Sequence, residues 1–238
     1  MAYFLRGMWI LLCQAFIDRR TVNLKQKKTI ANSKNGMVRE LLTSAFEGCA
    51  GGKWHEINLL GGSVHIQIDD NLGEGGNVWS AVQDLANHLI HNAGTLKSKQ
   101  ILELGSGPGA LSIACAMNGA HVVASDAPWV TSLTRSNAES PMNASQIAAA
   151  GGTLAVVDYL WGAEAANPVA DTPPDIVLVC ECVYQLEGGG LHEALGLDSA
   201  PTGDALLESL LQVCGPATTL FLANRLFAIR VAHALFIW

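Results

Sequence analysis

Charge is scarce in this 238-residue chain: Asp, Glu, Lys and Arg make up 15% of it, while half of it is hydrophobic. That composition excludes a globally disordered chain and supplies the core of one large domain, with room for an appendage. Basic residues are scarcer still beyond the N-terminus. Eight of the 14 Lys and Arg lie within residues 1–40, against Asp18 and Glu40, so residues 41–238 hold six basic and 19 acidic side chains. An acidic body argues against nucleic-acid binding through phosphate neutralisation. It suits plain solubility, or a cationic partner such as a protein lysine.

Cysteine pairs of metal-binding type are also missing. Cys13, Cys49, Cys115, Cys180, Cys182 and Cys214 include no C-x-x-C, which reads as a reduced intracellular protein without structural zinc. His88 and His91 share a helical face but have no third ligand nearby, so no metal site is expected. Long apolar runs are absent too. The stretch Met8–Ile17 counts ten residues, and a membrane span needs roughly 20. No small-residue cleavage site follows it, which weighs against a secretory signal. Residues 1–50 are read as a basic N-terminal extension, either an ordinary one or a membrane-surface helix, with a mitochondrial presequence as the lesser alternative. The location expected is cytoplasmic, with a nuclear or mitochondrial destination left open. Residues 51–238 are read as one domain, and the mean hydropathy of +0.27 implies that some apolar surface stays uncovered.

Residues 54–69 alternate on two arms around Gly61-Gly62 and predict a β-hairpin. Asn77 is placed to cap a helix through His91, with Val78, Ala81, Val82, Leu85 and Leu89 at helical spacing. From Gln100 onward strands predicted at 100–104, 121–125, 153–157, 175–180 and 217–223 alternate with helices at 108–118, 127–138 and 202–214. Alternation of this kind implies parallel pairing and a doubly wound α/β sheet.

The most informative segment is Glu103-Leu104-Gly105-Ser106-Gly107-Pro108-Gly109, a buried-type strand running into a Gly-rich turn and then a helix. Glycine lets the backbone turn sharply and lets a ligand approach. Pro108 suits a first helical position, and the free N–H groups of a helix start favour an anion or polar ligand atom. By itself the turn is ambiguous. Gly105, Gly107 and Ala110 also satisfy the dinucleotide fingerprint, and Asp126 lies 21 residues after Gly105 at a strand end, where a carboxylate can accept ribose hydroxyls. Glu103 tips the choice towards S-adenosylmethionine, because a carboxylate there can meet the ammonium of a methionyl group. The mid-chain position of the turn points the same way. An oxidoreductase would further need a Tyr-x-x-x-Lys, His or Cys constellation, which is not found.

Four ordered segments over residues 54 to about 225 resemble the seven-strand (class I) protein lysine methyltransferases of the methyltransferase-like group, whose members modify chaperones, elongation factors and AAA ATPases. They are Gly76-Asn77-Val78-Trp79, the Glu103–Gly109 turn with Asp126, Val156-Val157-Asp158-Tyr159-Leu160-Trp161-Gly162, and Val179-Cys180-Glu181-Cys182-Val183-Tyr184. The resemblance implies a Rossmann-like, mainly parallel sheet and S-adenosylmethionine as cofactor. It implies cofactor contacts at Trp79, Glu103, Gly105, Ser106, Gly107, Gly109, Asp126, Trp161 and Cys180. It also implies transfer of a methyl group to a lysine of a protein, with Glu181 and Tyr184 facing the reacting groups. A lysine of pKa about 10.4 must lose its proton and its water before it attacks, so the site's task is mainly to position a neutral amine. Glu181 stands where the group carries Asp, which also admits a silent cofactor-binding module. A small-molecule or histidine methyltransferase is the alternative within the same class. The chain ends soon after Asn224-Arg225 with a mostly apolar tail, Leu226–Trp238, too short for the two strands that close such folds. It is read as a shortened form with a poorly protected edge at its fifth strand, prone to associate.

Overall fold

In the computed structural model the described residues are 53–162, 167–169, 172–182, 203–225 and 233–237. The basic N-terminal extension, Tyr184 and most of the tail after Arg225 lie outside them.

Alternating β-formers build the hairpin, β1 (Trp54–Leu59) and β2 (Gly62–Gln67), paired antiparallel with Leu59 opposite Gly62. The turn is Leu60-Gly61 rather than the expected Gly61-Gly62. Both residues have positive φ (51° and 78°), as a two-residue type I′ loop requires. A short 3-10 stretch, Asp70–Gly76, follows and ends at Asn77. Asn77 does not cap the next helix; its Nδ2 turns back to the Gly73 carbonyl at 3.2 Å. Helix α1 (Ala81–Asn92) starts four residues later and buries Ala81, Leu85, Ala86 and Leu89.

From there the predicted alternation holds. Strands β3 (Gln100–Leu104), β4 (His121–Asp126), β5 (Thr153–Asp158), β6 (Ile176–Cys180) and β7 (Thr219–Arg225) pair in parallel, in the spatial order β5-β4-β3-β6-β7. β3 and β6 lie mid-sheet and are almost wholly buried; the apolar run of β6 suits that position, whereas β3 carries Glu103 into the interior. Helix α2 (Ala110–Met117) is apolar apart from Ser112, as suits its contacts with both the hairpin and the sheet; residues 110–116 are all buried. Helix α3 (Thr131–Ala138) starts four residues after its predicted boundary.

Helix α4 (Pro141–Ala150) is an element the sequence reading left out. Its start and stop signals are ordinary: the Ser140 hydroxyl accepts from Asn143 N, Pro141 opens the helix, and Gly151 closes it with φ 72°. Helix α5 (Gly203–Val213) buries Leu206, Leu210 and Val213.

The tail corrects a further expectation. Strand β8 (His233–Ile237) pairs antiparallel with β7, from Phe221 opposite Ile237 to Arg225 opposite His233. Strand β7 is therefore covered rather than an open edge, and the proposed reason for association falls away. Five residues suffice, because an antiparallel neighbour needs only a reversal of the chain, not a crossover helix. Among the described residues no helix is long and apolar enough to cross a membrane.

Candidate functional site

The site grows from the carboxyl ends of β3, β4 and β6, where ligands bind in open parallel sheets. Leaving β3, the backbone reverses through Gly105, Gly107 and Gly109, with φ of 74°, 53° and 87°. Side-chain-bearing residues rarely adopt such values, so the spacing of the glycines is set by the turn itself. Crowding adds to this at Gly105, where a Cβ would stand 2.6 Å from Cys182 Sγ and 3.1 Å from Trp161 Cζ2. Gly109, not Pro108, is the residue that flanks the first turn of α2. Pro108 lies one residue before that cap, so the sequence expectation of a first helical proline is off by two positions.

Strand β4 holds the turn from one side. Gly105 N and Ser106 N both donate to the Ser125 carbonyl (2.9 and 3.0 Å), and Ser125 Oγ donates to the Glu103 carbonyl at 2.7 Å. Gly107 N donates to Asp126 Oδ2 and Ala127 N to Asp126 Oδ1, each at 2.7 Å. Burial pushes Asp126 up to about 6, against the pull of those two backbone bonds. Glu103 is 2% exposed. Its carboxylate faces α2, where it bonds with the Ser112 hydroxyl. Burial lifts it to about 8, opposed by hydrogen bonds from the Ser112 side chain and backbone and raised further by the charge of Asp126. Glu103 therefore already satisfies one N–H of the α2 start that the sequence left free. Among the described residues neither carboxylate forms a salt bridge with Lys or Arg. Within the same turn the Ser106 hydroxyl is buried and has no hydrogen-bond partner among the described residues.

Trp161 reaches the turn because its loop is pinned at both ends. Tyr159 OH donates to Gln212 Oε1 at 3.1 Å, and Gly162 N donates to Ser209 Oγ at 3.0 Å, both on α5. Across the turn, the 3-10 stretch comes close enough that a Cβ on Gly107 would lie 3.4 Å from the Gly75 carbonyl and 3.6 Å from that of Asn77. Trp79 fastens this stretch by donating its indole N–H to the Glu74 carbonyl at 3.0 Å. Cys180 ends β6 and is buried, and burial pushes its thiol well above its ordinary range. Glu181 follows with φ 55°, a left-handed backbone unusual for Glu, held by its N–H to the Ala223 carbonyl at 2.8 Å.

The structure thus gathers Glu103, the glycines, Ser106, Asp126 and Trp161 around one turn, with Cys180 and Glu181 at the neighbouring strand end. Cys182 was passed over by the sequence reading, yet its thiol, and not that of Cys180, overlies Gly105; it donates to the Leu104 carbonyl at 3.2 Å. Ser125 was passed over as well, since a Ser in a strand carries no signal of its own. The His88 ring packs edge-on against Phe221, and its Nδ1 lies 3.2 Å from Asn92 Nδ2. Among the described residues no cluster of His, Cys, Asp and Glu could hold a metal ion.

Residues 61–190, more than half of the chain, match the family model described as lysine methyltransferase. Over 156 residues the chain is 28% identical to EEF1A lysine methyltransferase 3 of Xenopus tropicalis, covering 66% of this chain and 60% of that protein. Over 174 residues it is 27% identical to the Mus musculus protein of the same name, covering 73% and 66%. The chain thus spans less than two thirds of the length of either relative. Among solved structures, the T. thermophilus 16S rRNA N2 methyltransferase in complex with AdoMet and guanosine superposes with a TM-score of 0.52 at 19% identity, covering 74% of this chain and 42% of that one. That likeness bears on the fold.

Proposed function

The chain belongs to the lysine methyltransferase family, and from that premise we propose that its Gly105–Gly109 turn holds S-adenosylmethionine for methyl transfer to a lysine of a protein substrate. The observation that carries the cofactor half is the chemistry at the turn. One fully buried carboxylate, Glu103, and one half-buried, Asp126, both without a cationic side-chain partner among the described residues, together with one orphaned hydroxyl, surround a backbone whose positive φ favours glycine. Such a site suits a cationic ligand carrying hydroxyls. The cofactor supplies an electrophilic methyl on a sulfonium. The residues hold and orient it: Gly105, Gly107 and Gly109 by close backbone approach, Ser106 and Asp126 by hydrogen bonds, Glu103 by negative charge, Trp79, Trp161 and Cys180 as walls. Glu181 and Tyr184 take the acceptor side, where a carboxylate orients the amine and an aromatic face holds the adjoining cationic carbon.

The domain assigned to this chemistry is 51–238, with 1–50 as a basic extension, and its free cysteines fit a cytoplasmic setting. Because two relatives are named for EEF1A, an elongation factor is the first acceptor to test, followed by chaperones and ATPases. Calorimetric titration with S-adenosylmethionine and with NAD decides the cofactor; binding of NAD alone sinks the reading. Labelled methyl donor added to cell lysate, followed by mass spectrometry of the marked residue, decides the acceptor. Label on histidine or on a small molecule would overturn the lysine assignment. Glu181 favours one second reading, a cofactor-binding module without activity. An extra methylene moves the carboxylate by about 1.5 Å, and an error near 1 Å can cost roughly 100-fold in rate. Tight cofactor binding without any labelled product is the result that reading expects.

A further inference from the structure

Helix α3 buries a polar face. Thr131, Thr134 and Asn137 recur at every third residue, and each is at most 1% exposed. Burying hydroxyls and amides costs free energy unless their polar atoms find partners. Here they do. Thr131 Oγ1 donates to Asp158 Oδ1 at 2.6 Å. Thr134 Oγ1 donates to the Gly107 carbonyl at 2.6 Å, and Asn137 Nδ2 to the Pro108 carbonyl at 2.9 Å. Asn137 also pairs with both backbone groups of Gln67, donating to its carbonyl at 3.0 Å and accepting from its N–H at 2.8 Å. Asn143 of α4 treats His65 the same way, with bonds of 2.6 and 3.0 Å, and its Nδ2 also donates to the Asn137 carbonyl at 2.7 Å. Two amide side chains thus complete the open edge of β2, and one of them reaches on into the Gly-rich turn.

We propose that Thr134 and Asn137 are positioning residues which, by holding the Gly107 and Pro108 carbonyls, fix the backbone of the cofactor turn whose Gly107 N–H is held by Asp126. The proposal rests on the reading that this turn holds S-adenosylmethionine. A turn with three glycines has much conformational freedom to lose, so its shape must be imposed from outside. Because a peptide group is planar, anchoring the Pro108 carbonyl also aims the Gly109 N–H, which donates to the Ser106 carbonyl at 2.9 Å. The approach is close: a Cβ on Gly109 would stand 2.8 Å from Thr134 Cγ2. Asn143 provides a built-in comparison. It is equally buried and ties the same strand with the same chemistry, and it bonds to no atom of the turn.

The test compares Thr134→Val, Thr134→Ser, Asn137→Ala and Asn143→Ala by two readouts: amide hydrogen exchange of Gly105, Ser106, Gly107 and Gly109 in the free protein, and calorimetric affinity for S-adenosylmethionine. Losing a carbonyl anchor worth an ordinary hydrogen bond is expected to lower protection about tenfold and weaken binding about tenfold in Thr134→Val and Asn137→Ala. Thr134→Ser keeps the hydroxyl and retains both. Asn143→Ala is expected to lower Tm yet leave both readouts within about twofold of the parent, since its bond to Asn137 goes to the backbone carbonyl and not to the side chain that reaches the turn. Unchanged protection in Thr134→Val overturns the proposal, as do equal effects of the two Asn variants on the turn amides. A parent protein that does not bind S-adenosylmethionine defeats the cofactor reading, while the exchange data still decide this one.

Discussion

Glu103 sits where its strand calls for an apolar side chain, on the same face of β3 as Ile101 and under α2. At 2% exposure its ionised form is penalised, and burial lifts it from 4.5 to about 8. The folded state therefore keeps a proton that the unfolded chain gives up. Its contribution to stability is fully present below about pH 4.5 and is lost as pH rises through 8. Asp126 acts in the same direction over a lower window, from 3.8 to about 6. The expected outcome is an unfolding free energy that falls between pH 5 and 8 with a slope approaching about 1.4 kcal/mol per pH unit for one proton. Glu103→Gln removes most of that slope and is more stable than the parent at pH 8; urea melts across the pH series check it. Gly105→Ala adds a methyl at φ 74°, 2.6 Å from a buried thiol. A strained φ alone costs about 1–3 kcal/mol. If the strain is relieved by distorting the turn, cofactor affinity falls by roughly tenfold or more, as titration would show. The sequence made the identity of both residues legible. It could not give the depth of Glu103, because which face of a buried strand meets which helix is settled only when α2 closes over it.

At the scale of elements, the strands were legible because period, length and turn chemistry agreed, as in Ile101–Leu104 running into glycine. The misplacements arose where two local signals competed. Asn77 has the chemistry of a helix cap, yet the preceding Gly73–Gly76 stretch folds back and claims its side chain first. Gly61-Gly62 reads as a turn, yet the pairing of Leu59 with Gly62 shifts the reversal onto Leu60. Strand β8 was illegible as a strand because the tail is apolar nearly throughout, without the alternation that marks a strand, although its partner β7 is its neighbour in both chain and sheet. Its pairing with Phe221–Arg225 supplies a testable consequence. A chain ending at Ala232 would leave the β7 edge with unpaired N–H and C=O groups. It is expected to melt at lower temperature than the full chain and to associate at micromolar concentration. Light scattering that shows a monomer with unchanged Tm would refute the role given to β8.

For the whole molecule, the alternation of strands and helices made the doubly wound sheet legible, but not what ties its parts into one site. Residues 65 and 67 of the hairpin meet residues 137 and 143 more than 65 positions later through side-chain amides, and no period or motif marks such a meeting. The charge balance was legible, and with the site in hand it yields a further consequence. Across its sequence the chain carries a net charge of −7, and burial pushes up two carboxylates beside its turn, Glu103 to about 8 and Asp126 to about 6. A cationic ligand favours their ionised forms, so its binding releases protons and strengthens as pH rises through about 6 and on to about 8. Stability of the ligand-free protein moves the opposite way over the same interval. The two trends are linked, because a ligand that binds only the folded state adds RT ln(1 + [L]/Kd) to its stability. At one fixed concentration of S-adenosylmethionine the rise in Tm is therefore expected to be larger at pH 8 than at pH 6. The proton release should appear as a buffer-dependent heat when titrations in phosphate and Tris are compared. In Glu103→Gln the upper part of the trend, between pH 6 and 8, should disappear while the lower part, set by Asp126, remains. A Tm shift that is the same at both pH values, with heats independent of buffer, would mean that neither carboxylate senses the ligand's charge.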